Sequence, residues 1–428
     1  MIDEKYYRNY LEILKEELVP ALGCTEPIAV AYAAALAKKT LGVLPEHMDV
    51  YCSGNIVKNV KSVTVPNSGG MRGIEAAAVL GAVGGNPDKK LEVLGAIRKE
   101  EQDMAAKLLE ENYCICHLEE GVENLYIRVE AEGAGHTASV LITGKHTNIG
   151  QIKKDGAILF SGKSEKTEKR KEEPRESLNV RDILSFADEV RYEDIKEVIG
   201  RQVEMNVAIS EEGLRHAYGA EVGRTLLTAY GNDVKVRARA KAAAGSDARM
   251  NGCSLPVVIN SGSGNQGMAC SLPVIEFARE LNIPEEKMYR ALVVSNLVAI
   301  HQKKYIGSLS AYCGAVSAAC GAGAAITYLY GGDYERVSHT ITNTIANMGG
   351  VVCDGAKSSC AAKIASAVDA AIMACMLENA DHCFKPGEGL VKDNVEDTIK
   401  SLGYVGRVGM KHTDVTILNL MIDQIKIG

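Results

Sequence analysis

Twelve cysteines stand in this chain of 428 residues. Thiolates ligate metals and act as nucleophiles or bases, so their spacing is the first guide to chemistry. Cys353 and Cys360 lie seven apart in the glycine-rich stretch GGVVCDGAKSSC. Cys313 and Cys320 are also seven apart, in a stretch from 305 to 332 without a charged side chain. A metal cluster needs thiolates from chain that can wrap a bulky inorganic core. A glycine-rich loop permits that approach and offers backbone N–H groups to the sulfurs, whereas a regular helix usually offers one ligand. Spacing alone therefore selects Cys353 and Cys360 plus one cysteine of the charge-free stretch. It leaves iron–sulfur and zinc equally open. Cys114 and Cys116 share one face of an expected strand and read as packing residues, as do Cys52, Cys375 and Cys383. Cys253 and Cys270 flank a glycine turn, and their role is less clear.

Cys24 stands alone in ALGCTEP, just ahead of an expected helix over 26–39 with Thr25 as its N-cap and Pro27 in its first turn. A thiolate is stabilised at such a place. GSGNQG at 262–267 fits the glycine pattern of a dinucleotide-binding turn, after the strand-like LPVVIN. No acidic residue ending a second strand follows, and no βαβ alternation surrounds it. A turn that presents N–H groups at a helix start can still hold a carboxylate. Packing between helices explains it equally well.

These residues need elements to carry them. The first half reads as mixed, with helices at 4–18 and 26–39, strands at 49–53 and 62–66, and helices near 72–84 and 88–110. Several short strands follow, through 160. Residues 163–176 hold eleven charged residues in fourteen, which marks a solvated linker. From 179 onward the pattern is helical, with small residues at helical spacing. The expected class is α+β: a mixed α/β domain over 1–162, a charged linker over 163–178, and an all-α domain over 179–428. A buried Gly/Ala-rich central helix over the charge-free stretch completes the second domain, preferred over a membrane helix because its content is Gly, Ala and Ser.

Composition removes several functions. Net charge is −7, tryptophan is absent, and no basic patch interleaves with aromatics. Neither nucleic acid nor a membrane is an expected partner. The charged, amphipathic start lacks the apolar run of a signal peptide. A cytoplasmic setting with reduced thiols is the expectation, which argues against a disulfide framework. Oligomeric state stays open, a homo-oligomer included.

ALGCTEP (21–27), VTVPNSGGMRG (63–73), GKHTNIG (144–150), SGSGNQG (261–267) and VVCDGAKSSC (351–360) occur in this order. Together they resemble the L-cysteine desulfidase family, over nearly the whole chain. The second half also resembles the α domain of iron–sulfur L-serine dehydratases. The resemblance implies an oxygen-sensitive [4Fe-4S] cluster on three cysteines, the second forty residues after the first and the third seven further. Cys313, Cys353 and Cys360 match that spacing. Pairing Cys313 with Cys320 instead would need a cysteine at position 273, which is Pro273.

The resemblance also implies Cys24 as the base in a β-elimination that turns L-cysteine into hydrogen sulfide, pyruvate and ammonia. An L-serine dehydratase is the nearest alternative. A non-catalytic metal or cluster sensor comes next, and a pyridine-nucleotide oxidoreductase rests on GSGNQG alone. No lysine sits in a motif for a pyridoxal phosphate Schiff base. Candidates to hold the carboxylate and ammonium of the amino-acid substrate are Asn55, Asn67, Ser68, His146, Asn148, Asn265 and Lys303, all from polar or glycine-rich turns.

Overall fold

The computed structural model describes residues 3–162, 174–307 and 309–425. Most of the charged linker, 163–173, lies outside the described residues. The first half runs α1 (Glu4–Glu17), β1 (Pro20–Leu22), α2 (Thr25–Leu41), β2 (His47–Cys52), α3 (Gly54–Val60), α4 (Ile74–Gly84) and α5 (Lys99–Glu110). It continues through β3 (Cys114–Leu118), β4 (Tyr126–Gly133), β5 (His136–Thr143), β6 (Ile149–Lys154) and β7 (Ala157–Ser161). A short 3-10 turn at Pro174–Ser177 leads into the helical half.

β2 to β7 form one sheet in the order β3-β2-β4-β5-β6-β7, parallel between β2 and β3 and antiparallel elsewhere. Burial alternates along β2, β4 and β5, so Val50, Val129 and Val140 share the covered face. α2 packs on β4 and β5, with α4 against it. Alanine favours the helix and adds little bulk, which lets α2 be buried on nearly every side. Two expectations fail here. Residues 62–66 form no strand, only a bridge between Thr64 and Arg72. The helix expected over 88–110 is a 3-10 turn at Pro87–Glu92 and then α5.

The second half holds α6 (Val180–Glu189), α7 (Tyr192–Arg215), α8 (Val222–Tyr230), α9 (Val234–Met250), β8 (Pro256–Val258) and α10 (Gly264–Glu280). α11 (Glu285–Ile306), α12 (Gly314–Leu329), α13 (Tyr334–Met348), α14 (Cys360–Asn379), α15 (Val395–Tyr404) and α16 (Lys411–Met421) complete it. The molecule is α+β, with a mixed sheet in the first half and helices in the second. α12 lies among α10, α11, α13 and α14. Gly321 is what lets it approach α11, since a Cβ there would strike the Ser295 backbone. The charge-free stretch is not one helix: α11 ends at Gly307 with φ 100°, and α12 starts seven residues later at Gly314. Among the described residues, α14 is the one helix long and apolar enough to span a membrane, and more than half of it is buried inside the fold.

The two halves share contacts. β1 pairs antiparallel with β8, and α1 packs on α7 and α11. The stretch read as a strand before GSGNQG is thus a three-residue strand joined to β1, and α10 begins inside the motif. A parallel dinucleotide-binding unit is absent at this turn.

Candidate active site

Four helices begin at one cavity of about 710 Å³ between the halves. α2 starts after Cys24, α10 after Ser263, α12 after Cys313 and α14 after Ser359. None of these four cap residues uses its side chain to hydrogen-bond its own first turn. Each helix start carries partial positive charge and N–H groups without helical partners. The wall so formed carries positive potential, beside the Glu16, Glu17, Glu26 and Glu176 carboxylates that also line the cavity. The assignment of Thr25 as the N-cap of α2 is corrected here: Cys24 occupies that position, and the Thr25 hydroxyl donates to the Gly262 carbonyl at 2.8 Å.

Cys313, Cys353 and Cys360 all line this cavity. Tyr312 bridges Val352, the Cys313 N–H donates to Val351 at 3.0 Å, and the Cys353 N–H donates to Ala311 at 2.6 Å. These bonds lay the glycine-rich loop along the segment that leads into α12. Lys58 holds the loop from the other half: its buried ammonium donates to the Cys353 carbonyl at 3.4 Å and pairs with Asp414. Asp354 is clamped by Lys357 and Lys363. Burial works to raise the Asp354 pKa, and the two lysines outweigh it, bringing it to about 2.

Burial pushes the Cys313 thiol up to about 12, with Cys353 and Cys360 adding repulsion. Burial raises Cys360 as well. Burial thus favours the protonated form of Cys313 and Cys360, and a metal ligand has to give up that proton. Among the described residues, no three His, Cys, Asp or Glu side chains already surround one point as a single ion requires. A cubane differs, because each of its ligands binds a separate iron. Three thiols on one cavity, Cys313 at the start of α12, Cys360 at the start of α14 and Cys353 in the loop before it, fit that donor set.

On another wall, the Cys24 Sγ donates to Glu26 Oε2 at 3.0 Å. Burial, then the Glu26 charge, holds the Cys24 pKa well above the ordinary thiol value, with Arg249 acting in the opposite direction. A helix start alone thus does not make Cys24 a thiolate here, contrary to the expectation from sequence. Glu26 is the hub of this wall. Burial works to raise its pKa, but His146, Cys24 and its backbone outweigh burial and bring it to about 2. His146 Nε2 stands 3.8 Å from Glu26 Oε1, an ion-pair distance beyond hydrogen-bond reach. Asn59 donates to the same oxygen at 3.4 Å.

Of the substrate-binding candidates, His146, Asn265 and Lys303 line the cavity. Lys303 is buried near the end of α11, and that burial lowers its pKa to about 8 against the opposing pull of Cys353 and Cys313. The other four stand elsewhere. Asn67 has φ 55° and donates to the Leu94 carbonyl, and Ser68 closes the same turn through Met71 and Gly70. Asn148 donates to Thr143 within its own hairpin loop. Asn55 sits on α3 away from the cavity lining, while Asn59, one turn on, reaches it. Turn-forming Asn and Ser serve their local backbone here.

Glu26, Asn59, Arg249 and Gln266 also line the cavity and were not singled out from sequence. Glu26 lies inside the quoted ALGCTEP and Gln266 inside GSGNQG, so motif membership was the available signal. Arg249 and Asn59 had none.

The sequence matches the family model described as serine dehydratase alpha chain over residues 88–419. It is 51% identical to a UPF0597 protein of Lachnoclostridium phytofermentans, over 97% of this chain and 100% of the relative. It is 50% identical to one of Desulfitobacterium hafniense and 48% identical to one of Treponema denticola, over 98% of this chain in each case and 98% and 99% of those relatives.

Proposed function

This chain belongs to the serine dehydratase alpha chain family, a lyase-type enzyme family, and from that premise we propose that it is an iron–sulfur L-cysteine desulfidase independent of pyridoxal phosphate. The observation that carries the reading is that Cys24 lines the same cavity as Cys313, Cys353 and Cys360. Those last three would hold a [4Fe-4S] cluster. When bound, the cluster supplies a Lewis-acidic iron that makes the substrate sulfur a better leaving group.

The chain's own residues do the rest. Cys24, once ionised, takes the Cα proton. The Cys24 thiol donates to Glu26 at 3.0 Å, and the α2 start and Arg249 favour its thiolate form. As the Cα–H bond breaks, its electron pair forms the Cα–Cβ double bond and the Cβ–S pair leaves with sulfur as hydrogen sulfide. The aminoacrylate released tautomerises and is hydrolysed to pyruvate and ammonium. The side-chain amides of Asn265 and Gln266, each with its oxygen unpartnered, face the cavity where an ammonium group would lie. The His146 ring stands 3.8 Å from Glu26 Oε1 on the same cavity. Lys303 supplies positive charge beside Cys313 and Cys353.

The test is anaerobic purification, reconstitution with iron and sulfide, and assay of sulfide and pyruvate from L-cysteine. Equimolar products are expected. Cys24→Ala should lose turnover and keep the cluster absorbance, and Cys353→Ala should lose both. A protein that takes up no cluster would sink the reading. The family match to a serine dehydratase chain favours one second reading, elimination of water from L-serine at the same site. Turnover of serine without cysteine would establish it.

A further inference from the structure

α9 carries one arginine into this cavity. Arg249 is only 2% exposed, and it is the largest fully buried side chain of the described residues. Its Nε and Nη2 have no hydrogen-bond partner. A buried guanidinium left in that state is costly unless a ligand completes it. The guanidinium lies across the first residue of α10: a Cβ on Gly264 would collide with Arg249 Nε and with Val257. The uncapped N–H groups of α10 and the guanidinium fork therefore meet at one spot on the cavity wall.

We propose that this spot holds the α-carboxylate of the amino-acid substrate, with Arg249 as its cationic anchor and the α10 start as its second set of donors. The proposal rests on the reading of the cavity as an amino-acid lyase site. Arginine matches a carboxylate with two parallel N–H donors, and a helix start adds N–H groups and positive potential. Placement separates Arg249 from the cavity's other buried cation. Arg249 crosses the start of α10 and precedes Met250, which packs against Cys24, whereas Lys303 stands in the last turn of α11. In the substrate the carboxylate is bonded to Cα, the atom that gives its proton to Cys24, and sulfur is one carbon further away. A substrate with Cα at Cys24 puts its carboxylate on the Arg249 side and its sulfur on the Cys313 side.

The test uses two probes without a β leaving group, L-alanine and L-alaninamide, titrated calorimetrically into the reconstituted protein. Wild type should bind L-alanine at least roughly tenfold more tightly than the amide. Arg249→Met should weaken L-alanine by roughly 10- to 100-fold and leave the amide unchanged, with cluster absorbance and helical circular dichroism retained. Its KM for L-cysteine should rise more than its kcat falls. Arg249→Lys, which keeps the charge and loses the fork, should fall between the two. Equal binding of both probes by wild type overturns the proposal without any variant. So does an Arg249→Met protein that still prefers L-alanine, or one that folds and takes up no cluster, since the arginine would then serve the metal. If wild type distinguishes the probes through Arg249 yet turns over neither cysteine nor serine, the lyase reading fails and the carboxylate site stands.

Discussion

Five helix starts away from the cavity carry a side-chain cap that the four starts at the cavity lack. At the surface, α1, α6, α9, α13 and α15 begin at Asp3, Asn179, Asp233, Asp333 and Asn394, and each of these side chains accepts a hydrogen bond from its first turn. At the cavity, α2, α10, α12 and α14 begin without such a bond. α3, α4, α7, α11 and α16 also lack a side-chain cap, away from the cavity lining, and Arg191 and Pro284 at the starts of α7 and α11 are exposed to water. α8 is the intermediate case: the Asp247 carboxylate of α9 receives its Gly223 N–H at 3.1 Å. A cap stabilises a helix by about 1 kcal/mol. The four cavity ends forgo it, and at α14 the Lys357 and Ser358 carbonyls accept from the first N–H groups instead.

The contrast can be broken in three places. The largest effect is expected from giving a cavity helix a surface-type cap. Ser263→Asp puts a carboxylate on the start of α10, where Ser263 already has the extended backbone an N-cap needs. Tm should rise while kcat/KM for L-cysteine falls on the order of 100-fold, because the built-in anion takes the substrate's place. Higher activity in that variant would mean that the α10 start does not bind the substrate.

A smaller effect is expected at Asp247. Burial lifts its carboxyl to about 6, against the hydrogen bonds from Gly223 and Val222. The folded state then binds the proton more tightly than the unfolded state. Wild-type stability therefore falls as pH rises from about 4, the ordinary carboxylate value, to about 6, by on the order of 2 kcal/mol. Asp247→Asn still accepts from Gly223 and should show a flatter profile across that window in urea unfolding. An unchanged slope would remove Asp247 from the account.

The smallest effect belongs to the surface. Asp233→Ala removes the acceptor of the Lys235 and Val236 N–H groups. It should cost about 1 kcal/mol of stability and leave kcat/KM unaltered. A loss of activity there would show that surface and cavity ends are coupled.

Residues singled out from their neighbours in the chain reach the cavity at Cys353, Cys360, His146 and Asn265. Cys353 and Cys360 stood out because glycine-rich loops can wrap a core, and His146 and Asn265 because their turns are polar. Asn67, Ser68 and Asn148 lie off the cavity lining, and their side chains satisfy the very turns that drew notice. Arg249 could not be seen. In AKAAAGSDARM an arginine reads as a solvated helix face, and only packing of α9 against α7, α8, α10 and α14 encloses it.

The sequence by itself determined the α+β class, the amphipathic and alanine-rich helices, and the cysteines whose spacing suits a cluster. These follow from local periodicity and from chain flexibility, which neighbouring residues set. The tertiary structure alone decided that four helix starts converge on one cavity, that Cys24 is a buried thiol hydrogen-bonded to Glu26, and that Arg249 stands there unpaired. Those properties are electrostatic and depend on burial. Burial is a property of the assembled core, to which residues more than a hundred positions apart contribute at once.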